Sequence, residues 1–118
     1  MFEFLQKTVV DTDDEGLRRI THERMKVFAK FTAEDCLTCK LLGPGFAKFA
    51  DDEEYQGITF VRLASDENPV AKQLMNQRAA PFFVSYCQGR ILECDTRETD
   101  ADVRAQLDRL RAFMPHTA

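Results

Sequence analysis

The sequence predicts an α/β fold in which helices cover a central sheet. Three observations support this prediction: apolar strand-like runs alternate with helical periodicities, a hairpin signal stands near the end, and the last segment carries one apolar stripe. The predicted order is strand, helix, strand, helix, strand, helix, strand, strand and helix, which is typical of helices packed on one sheet. With 118 residues, the chain is expected to form one domain, 1–118.

The first half of the chain supplies the first two strands and two helices of this prediction. Residues 1–8 are short and mixed and are interpreted as an edge strand. Capping acids from Asp11 onwards precede apolar residues at helical spacing, and residues 25–33 form a nearly continuous apolar strand. Residues 36–55 have the spacing of a helix, in which Pro44 predicts a kink.

The second half predicts a strand at residues 57–65 and a helix from Asp66 with an early proline. Residues 81–95 are interpreted as a hairpin, because two β-rich runs meet at the two-residue turn Gln88-Gly89. Residues 100–114 form the last predicted helix. Its apolar stripe consists of Val103, Leu107, Leu110 and Phe113.

Composition argues against several classes of function. The net charge is −4 and the bases are interleaved with acids, so nucleic acid is not an expected partner. No apolar run approaches the ~20 residues that span a bilayer, and no membrane association is expected. The start lacks a basic leader with a long apolar segment, which favours a cytoplasmic protein. We expect a monomer.

Cys36 and Cys39 stand where the second predicted strand gives way to a helix. Unpaired N–H groups and the helix dipole stabilise a thiolate at such a junction, so Cys36 should be the more acidic and more exposed thiol. Residues three apart on a helix have Cβ atoms ~5–6 Å apart, and a small adjustment closes a disulfide. This geometry suits exchange, with Cys36 attacking a partner disulfide and Cys39 displacing the product.

The same cysteine pair also fits part of a zinc site or two small core side chains. Tetrahedral zinc needs four ligands, for which the remaining candidates are Cys87, Cys94, His22 and His116. In the predicted hairpin Cys94 lies opposite Phe83, so the two later cysteines neither bridge nor form a second metal-binding pair. Redox chemistry is therefore the leading interpretation, and neither a metal nor a cofactor is predicted.

Around this pair the chain resembles the thioredoxin family, over residues 27–89 and in the place of the last helix. "FTAEDCLTCKLLGP" is similar to the family's strand, W-C-G-P-C-K segment and proline-kinked helix. "LASDENP" and "NQRAAPFFVSYCQGR" resemble later family segments in the same order. The resemblance implies a thioredoxin fold, with a central mixed sheet of about five strands flanked by about four helices.

The resemblance also implies an activity and a site. The protein would be a thiol–disulfide oxidoreductase in which Cys36 attacks and Cys39 resolves. The bond between Ala80 and Pro81 would be cis, with the proline packed against the sulfurs and Ala80 offering backbone groups to an extended substrate segment. A trans proline opening an edge strand is the alternative. Partners would be protein disulfides and an unidentified electron donor or reductase.

The chain departs from the family pattern around the first cysteine. Asp35 replaces the usual tryptophan, and Leu37-Thr38 replaces Gly-Pro between the cysteines. We expect Asp35, Leu37, Thr38 and Ala80 to contact substrate. Because Glu34 and Asp35 make this surface acidic, we expect cationic or specialised partners and poor turnover by a general thioredoxin reductase.

Three bases are expected to tune the site. Lys30 replaces the family's buried acid, and Arg62 replaces the lysine that accompanies it. Two buried bases would be costly, so either they point outward or Glu34, Asp35 or another acid compensates. Lys40 and the helix start oppose the effect of Asp35 on the first cysteine, whose pKa should lie nearer that of an ordinary thiol than in strongly oxidising relatives.

Lys30 and Asp35 also keep a second interpretation open. In that interpretation the protein is a thioredoxin-fold binding module that uses the groove beside Pro81 and has little redox turnover. A metal-binding role for the cysteine pair is the third.

Overall fold

Five strands form one mixed sheet in the computed structural model, which describes residues 8–115. The order across the sheet is β1-β3-β2-β4-β5, with β1, β3 and β2 parallel and the remaining pairs antiparallel. The predicted mixed sheet is therefore confirmed. The strands are β1 (Val9–Asp11), β2 (Lys26–Thr32), β3 (Ile58–Ala64), β4 (Phe82–Cys87) and β5 (Arg90–Thr96).

The helices cover both faces of this sheet. The segments are α1 (Asp14–Glu23), α2 (Leu37–Leu41), α3 (Gly43–Asp51), α4 (Pro69–Met75) and α5 (Asp100–Ala112), with 3₁₀ turns at Glu53–Tyr55 and Ser65–Glu67. Over the described part of the chain, none of them has both the length and the apolar character that crossing a membrane requires.

α2 and α3 take the place of the single kinked helix predicted for residues 36–55, so the expected four helices are present. The break falls at Leu42, and Pro44 lies in the first turn of α3. Proline has no N–H to donate, which is harmless in a first turn and disruptive in a helix interior. The predicted kink is thus a full break between two helices.

The first strand among the described residues begins directly after the segment predicted as an edge strand. β1 contains only residues 9–11, and it pairs with β3 so that Val9 lies beside Phe60 and Val10 beside Val61. The predicted strand at residues 1–8 falls almost entirely outside the described residues, as does His116. A three-residue edge strand carries too little periodicity to be located from sequence.

The hairpin turn is as predicted, but the strand register is not. Gln88 and Gly89 have φ of 53° and 80°, the left-handed values that a two-residue hairpin turn needs. The register then shifts, and Leu92 is an extra residue in β5. Cys94 consequently pairs with Val84, one residue along β4 from the predicted partner, Phe83.

Apolar side chains pack on both faces of the sheet, because alternate residues of β2 point to opposite sides. Val27, Ala29 and Phe31 join one cluster with residues of α1 and α4. Phe28 joins the other, with residues of α3 and α5. Its ring centroid lies 5.7 Å from that of Phe83 in β4 and 6.0 Å from that of Phe46 in α3.

α5 contributes most of its predicted stripe to this second cluster. Val103, Leu107 and Leu110 are buried, but Phe113 remains 43% exposed. The predicted burial of Phe113 is wrong because α5 ends at Ala112 and the chain turns to an extended conformation there.

α1 and α4 cap one another on the opposite face. The Asp14 carboxylate accepts hydrogen bonds from the N–H groups of Val70 at 2.9 Å and Ala71 at 3.0 Å. In return, the N–H of Asp14 donates to the side-chain oxygen of Asn68 at 2.9 Å. These contacts satisfy N–H groups at two helix starts at once.

Candidate active site at the start of the second helix

Cys36 and Cys39 form a disulfide where β2 leads into α2. Cys36 is the N-cap residue of α2, and the two Cα atoms are 5.2 Å apart. The N–H of Cys39 donates to the sulfur of Cys36 at 3.1 Å. The same donor is placed to stabilise a Cys36 thiolate after reduction.

The two sulfurs differ in their access to solvent. Cys36 is half-buried, whereas Cys39 is only 7% exposed. The prediction that Cys36 is the more exposed cysteine is therefore confirmed. Cys36 is thus the more accessible of the two residues to solvent, and Cys39 is largely enclosed by the protein.

The residues predicted to contact substrate surround the first cysteine. Asp35 is exposed, with φ of 54° in a region that aspartate tolerates better than most residues. Leu37 is 69% exposed and Thr38 is half-buried. Exposed Glu34 donates its N–H to the Asp66 carboxylate at 2.7 Å, which adds a further acid to this surface.

The loop before β4 completes the surroundings of the disulfide. The Ala80–Pro81 peptide bond is cis, Pro81 is buried, and Ala80 is half-buried. The carbonyl oxygen of Ala80 lies 3.6 Å from the sulfur of Cys36. A pocket of about 330 Å³ adjoins Ala80, and its lining includes Lys72 and Arg78.

Lys30 lies in the interior beneath the disulfide. The residue is 1% exposed, and its Nζ donates to the main-chain oxygen of Cys39 at 2.9 Å and lies 5.6 Å from the Phe46 ring centroid. Burial, together with the charge of Arg62, lowers the pKa of Lys30 to about 8, while Asp100 acts in the opposite direction. Lys30 is thus a buried group that can titrate near neutral pH.

Arg62, the second predicted base, is partly exposed and forms an ion pair, unlike Lys30. Its guanidinium forms a two-point ion pair with the Asp11 carboxylate, at 2.7 Å and 3.0 Å, and its side chain is 38% exposed. Arg62 is therefore paired with Asp11, whereas the charge of Asp100 acts on Lys30 in the direction that favours the ammonium. Lys40, the third predicted tuning residue, is exposed on α2.

Sequence reasoning missed Asp100 and its setting. Asp100 is the first residue of α5, and a methyl group at Gly45 would come within 2.7 Å of its carboxyl carbon. The bare backbone of Gly45 in α3 therefore leaves room for the Asp100 carboxylate. Neither residue carries a local motif, and they come together only in the folded chain.

The remaining candidate residues do not join the site. On the exposed surface of α1, a ring nitrogen of His22 lies 2.8 Å from the Arg18 carbonyl oxygen. Cys87 and Cys94 are free thiols. Among residues 8–115 no group of three or more histidine, cysteine, aspartate or glutamate side chains is arranged to hold a metal ion.

Comparisons with known proteins agree with this geometry. The thioredoxin family model matches residues 7–113. Thioredoxin-3 of Dictyostelium discoideum is 28% identical over 108 residues, which cover 88% of this chain and 97% of that protein.

Solved thioredoxins share the fold. The structure of Malassezia sympodialis thioredoxin superposes with a TM-score of 0.80 at 23% identity, covering 91% of this chain and 94% of that one. Oxidised mitochondrial thioredoxin 3 of Saccharomyces cerevisiae gives 0.75 at 20% identity, covering 86% and 94%. The family match and the Cys36–Cys39 disulfide support a thiol–disulfide oxidoreductase role. The chain belongs to the thioredoxin family.

Proposed function

We propose that this protein exchanges disulfides with protein partners, using Cys36 as the attacking sulfur and Cys39 as the resolving sulfur. The observation that supports this most directly is the closed disulfide, with half-buried Cys36 at the start of α2 and buried Cys39 one turn later. Helix N–H groups favour the thiolate of the first sulfur.

Two exchanges make up the proposed reaction. The Cys36 thiolate attacks one sulfur of the partner disulfide, and the other partner sulfur leaves as a thiolate that takes a proton from water. Cys39 then attacks the sulfur of Cys36, which restores the disulfide and releases the second partner sulfur. Two electrons pass to the partner, and an external thiol donor returns the protein to the dithiol.

The partner segment is proposed to lie along the loop that contains Ala80 and Pro81. The Ala80 carbonyl is beside the attacking sulfur, and the exposed Leu37 side chain offers an apolar contact next to it. Asp35 and Glu34 would favour basic partner residues. A single pair of charges ~6 Å apart near the surface contributes about 0.7 kcal/mol in water, roughly threefold in affinity.

The test is a redox titration with a functional assay. The wild-type protein is equilibrated against glutathione and dithiothreitol, its disulfide is followed by mass spectrometry, and insulin reduction is measured alongside. We expect a reversible couple at about −200 to −300 mV. Cys36→Ser should abolish insulin reduction, and Cys39→Ser should accumulate a mixed disulfide. Cys87→Ser is the matched control and should behave as wild type.

Two outcomes would reject this function. A cysteine pair that does not exchange with glutathione or dithiothreitol would favour the binding module. Stoichiometric zinc on the reduced protein, measured by atomic emission, would favour the metal-binding alternative.

The proposed partner charge has its own test. Two disulfide peptides that differ only in flanking lysine or glutamate are compared as substrates. The lysine peptide should be reduced faster than the glutamate peptide. Asp35→Asn should lower the ratio of the two reduction rates by roughly threefold. Equal rates for both peptides would reject the charge preference, and efficient turnover by a general thioredoxin reductase would reject the proposal of a specialised electron donor.

A further inference from the structure

We propose that Thr96, the last residue of β5, is a positioning residue that aims the Ala80 main chain at an extended partner segment. This inference rests on the proposed thiol–disulfide function. The Thr96 hydroxyl donates to the carbonyl oxygen of Ala79 at 2.6 Å. Thr96 therefore acts on the partner through a neighbouring residue, while Cys36 and Cys39 carry the chemistry.

The contact with Ala79 determines the direction of the Ala80 N–H. Ala79 and Ala80 share a trans peptide unit, in which the C=O and the N–H point in opposite directions. Because the C=O points to Thr96, the N–H of Ala80 points away from β5. Within the described chain no acceptor binds this N–H. It is therefore open to an acceptor on another molecule.

A neighbouring strand pairs through the N–H and the C=O of the same residue. Two residues that face each other in an antiparallel pair exchange both hydrogen bonds, and extended peptides bind other proteins through such main-chain contacts. The carbonyl oxygen of Ala80 lies 3.6 Å from the Cys36 sulfur. A partner whose reactive cysteine lies in an extended segment can therefore pair with Ala80 while its own sulfur reaches Cys36.

The segment that contains Ala80 depends on β5 for its position. Residues 76–81 belong to neither a helix nor a strand. Before Ala80, the side chain of Arg78 forms an ion pair with Asp95 at 2.9 Å. After it, the N–H of Arg97 donates to the Pro81 carbonyl oxygen at 3.2 Å. Together with the Thr96 hydroxyl, these contacts hold the segment on both sides of Ala80.

The end of β5 is itself fixed by contacts with the rest of the protein. The guanidinium of Arg97 donates to the side-chain oxygen of Gln106 in α5 at 2.9 Å. Gln106 is fully buried and donates to the Phe83 carbonyl oxygen at 3.2 Å. The Asp95 carboxylate also accepts the N–H of Thr96 at 2.8 Å. Thr96 thus joins a segment without regular structure to a well-anchored strand end, as a positioning residue requires.

Loss of the Thr96 hydroxyl should weaken partner binding more than chemistry. A segment that is ordered before binding loses less conformational freedom when the partner pairs with it. One hydrogen bond of ordinary strength corresponds to about a fivefold change in an equilibrium constant. An interaction that is used equally before and during the reaction changes the concentration for half-saturation and leaves the maximum rate unchanged.

The experiment compares two disulfides that differ in whether they have a main chain. The first is a peptide with its reactive cysteine in an extended segment, joined by the disulfide to a fluorescent thiol. The second is 5,5′-dithiobis(2-nitrobenzoate), which offers no main chain to Ala80. Each is mixed with an excess of fully reduced protein, and the dependence of the rate on protein concentration gives the half-saturating concentration and the maximum rate.

Thr96→Val removes the hydroxyl and keeps a branched side chain suited to a strand. It should raise the half-saturating concentration for the peptide by about fivefold and leave the maximum rate within about twofold of wild type. The rate with the small disulfide should also stay within about twofold. Thr96→Ser retains the hydroxyl and should restore peptide binding to within about twofold of wild type.

A methylated peptide tests whether the effect passes through main-chain pairing. In this peptide, methyl groups replace the N–H hydrogens of the reactive cysteine and of its two neighbours. Methylation should raise the half-saturating concentration for wild type by at least about fivefold, since a hydrogen bond is lost. In Thr96→Val the increase should be smaller by at least about twofold, because the two changes disturb the same contact.

Thr8→Val is the matched control. The Thr8 hydroxyl also forms a 2.6 Å hydrogen bond, to the Asp51 carboxylate. Thr8 precedes β1, whereas Cys36 follows β2, and both strands run parallel to β3, so the two residues lie at opposite ends of the sheet. Thr8→Val should leave all of these rates unchanged. Urea unfolding of Thr96→Val and Thr8→Val shows whether a loss of stability accompanies any loss of binding.

The results that overturn the inference differ from those that overturn the function. A wild-type protein that reduces neither disulfide contradicts the proposed function itself. An unchanged half-saturating concentration for the peptide in Thr96→Val overturns the role of Thr96, as does an equal loss with both disulfides. An effect of methylation that is the same in wild type and in Thr96→Val shows that Thr96 does not act through Ala80.

Discussion

Replacing Lys30 by methionine should stabilise the fold at neutral pH. Lys30 is 1% exposed, and its pKa falls from 10.5 to about 8. At about 1.36 kcal/mol per pKa unit, burial and the charge of Arg62 together disfavour the charged amine by about 3 kcal/mol. The lost hydrogen bond to the Cys39 carbonyl offsets about 1 kcal/mol of the gain. The free energy of unfolding should therefore rise by about 2 kcal/mol at pH 7.

The stability gained through Lys30→Met should decrease as the pH rises from about 8 to about 10. Below about pH 8 the amine is protonated in the folded and unfolded protein, and the full penalty is present. Between about pH 8 and 10.4 the unfolded chain binds a proton that the folded protein lacks, so wild-type stability rises with pH. At about pH 9.5 wild type should have recovered about 2 kcal/mol, and the two proteins should be nearly equal.

Urea unfolding of the oxidised proteins, followed by circular dichroism, measures these differences. Lys48→Met should change stability by less than about 0.5 kcal/mol at either pH, as exposed substitutions do. Destabilisation by Lys30→Met at pH 7, or a difference that does not change with pH, would refute the reasoning.

Three further predictions concern the site and its support. Asp35→Asn keeps a residue that tolerates positive φ and removes its charge, so the pKa of the Cys36 thiol should fall by about half a unit in a thiolate absorbance titration; an unchanged or higher pKa would count against the acidic surface. Asp14→Ala removes the acceptor for two N–H groups of α4 and should cost about 1–2 kcal/mol in urea unfolding, whereas a loss below about 0.5 kcal/mol would mean that water replaces it. Phe28→Ala opens a cavity among three packed rings and should cost about 3–5 kcal/mol in the same assay; a smaller loss would indicate that the cluster collapses around it.

Most of the fold was predictable from local sequence patterns. The apolar run of β2, the helical stripe of α5 and the Gln88-Gly89 turn each carry a signal within a few residues. The role of the cysteine pair was predictable for the same reason, because the start of a helix stabilises a thiolate at any strand-to-helix junction.

The predictions that failed, and the features that were missed, depend on contacts between distant residues. β1 exists through its pairing with β3, and the Asp14–Asn68 contacts require α1 and α4 to meet. The bulge at Leu92 has no glycine or proline to mark it. Asp100 shares no motif with Lys30, so it was not named with Glu34 and Asp35 as a possible counter-charge to the buried base.

The bulge at Leu92 determines how oxidation of the whole protein can be interpreted. One extra residue in β5 reverses the direction of every side chain beyond it. Cys94 therefore packs with the cluster under α1 and α4, while Cys87 lines a cavity with Phe113 on the other side. The sheet separates these thiols, so a disulfide between them would require the sheet to open. Loss of two thiols within one folded chain under mild oxidation therefore reports the Cys36–Cys39 pair.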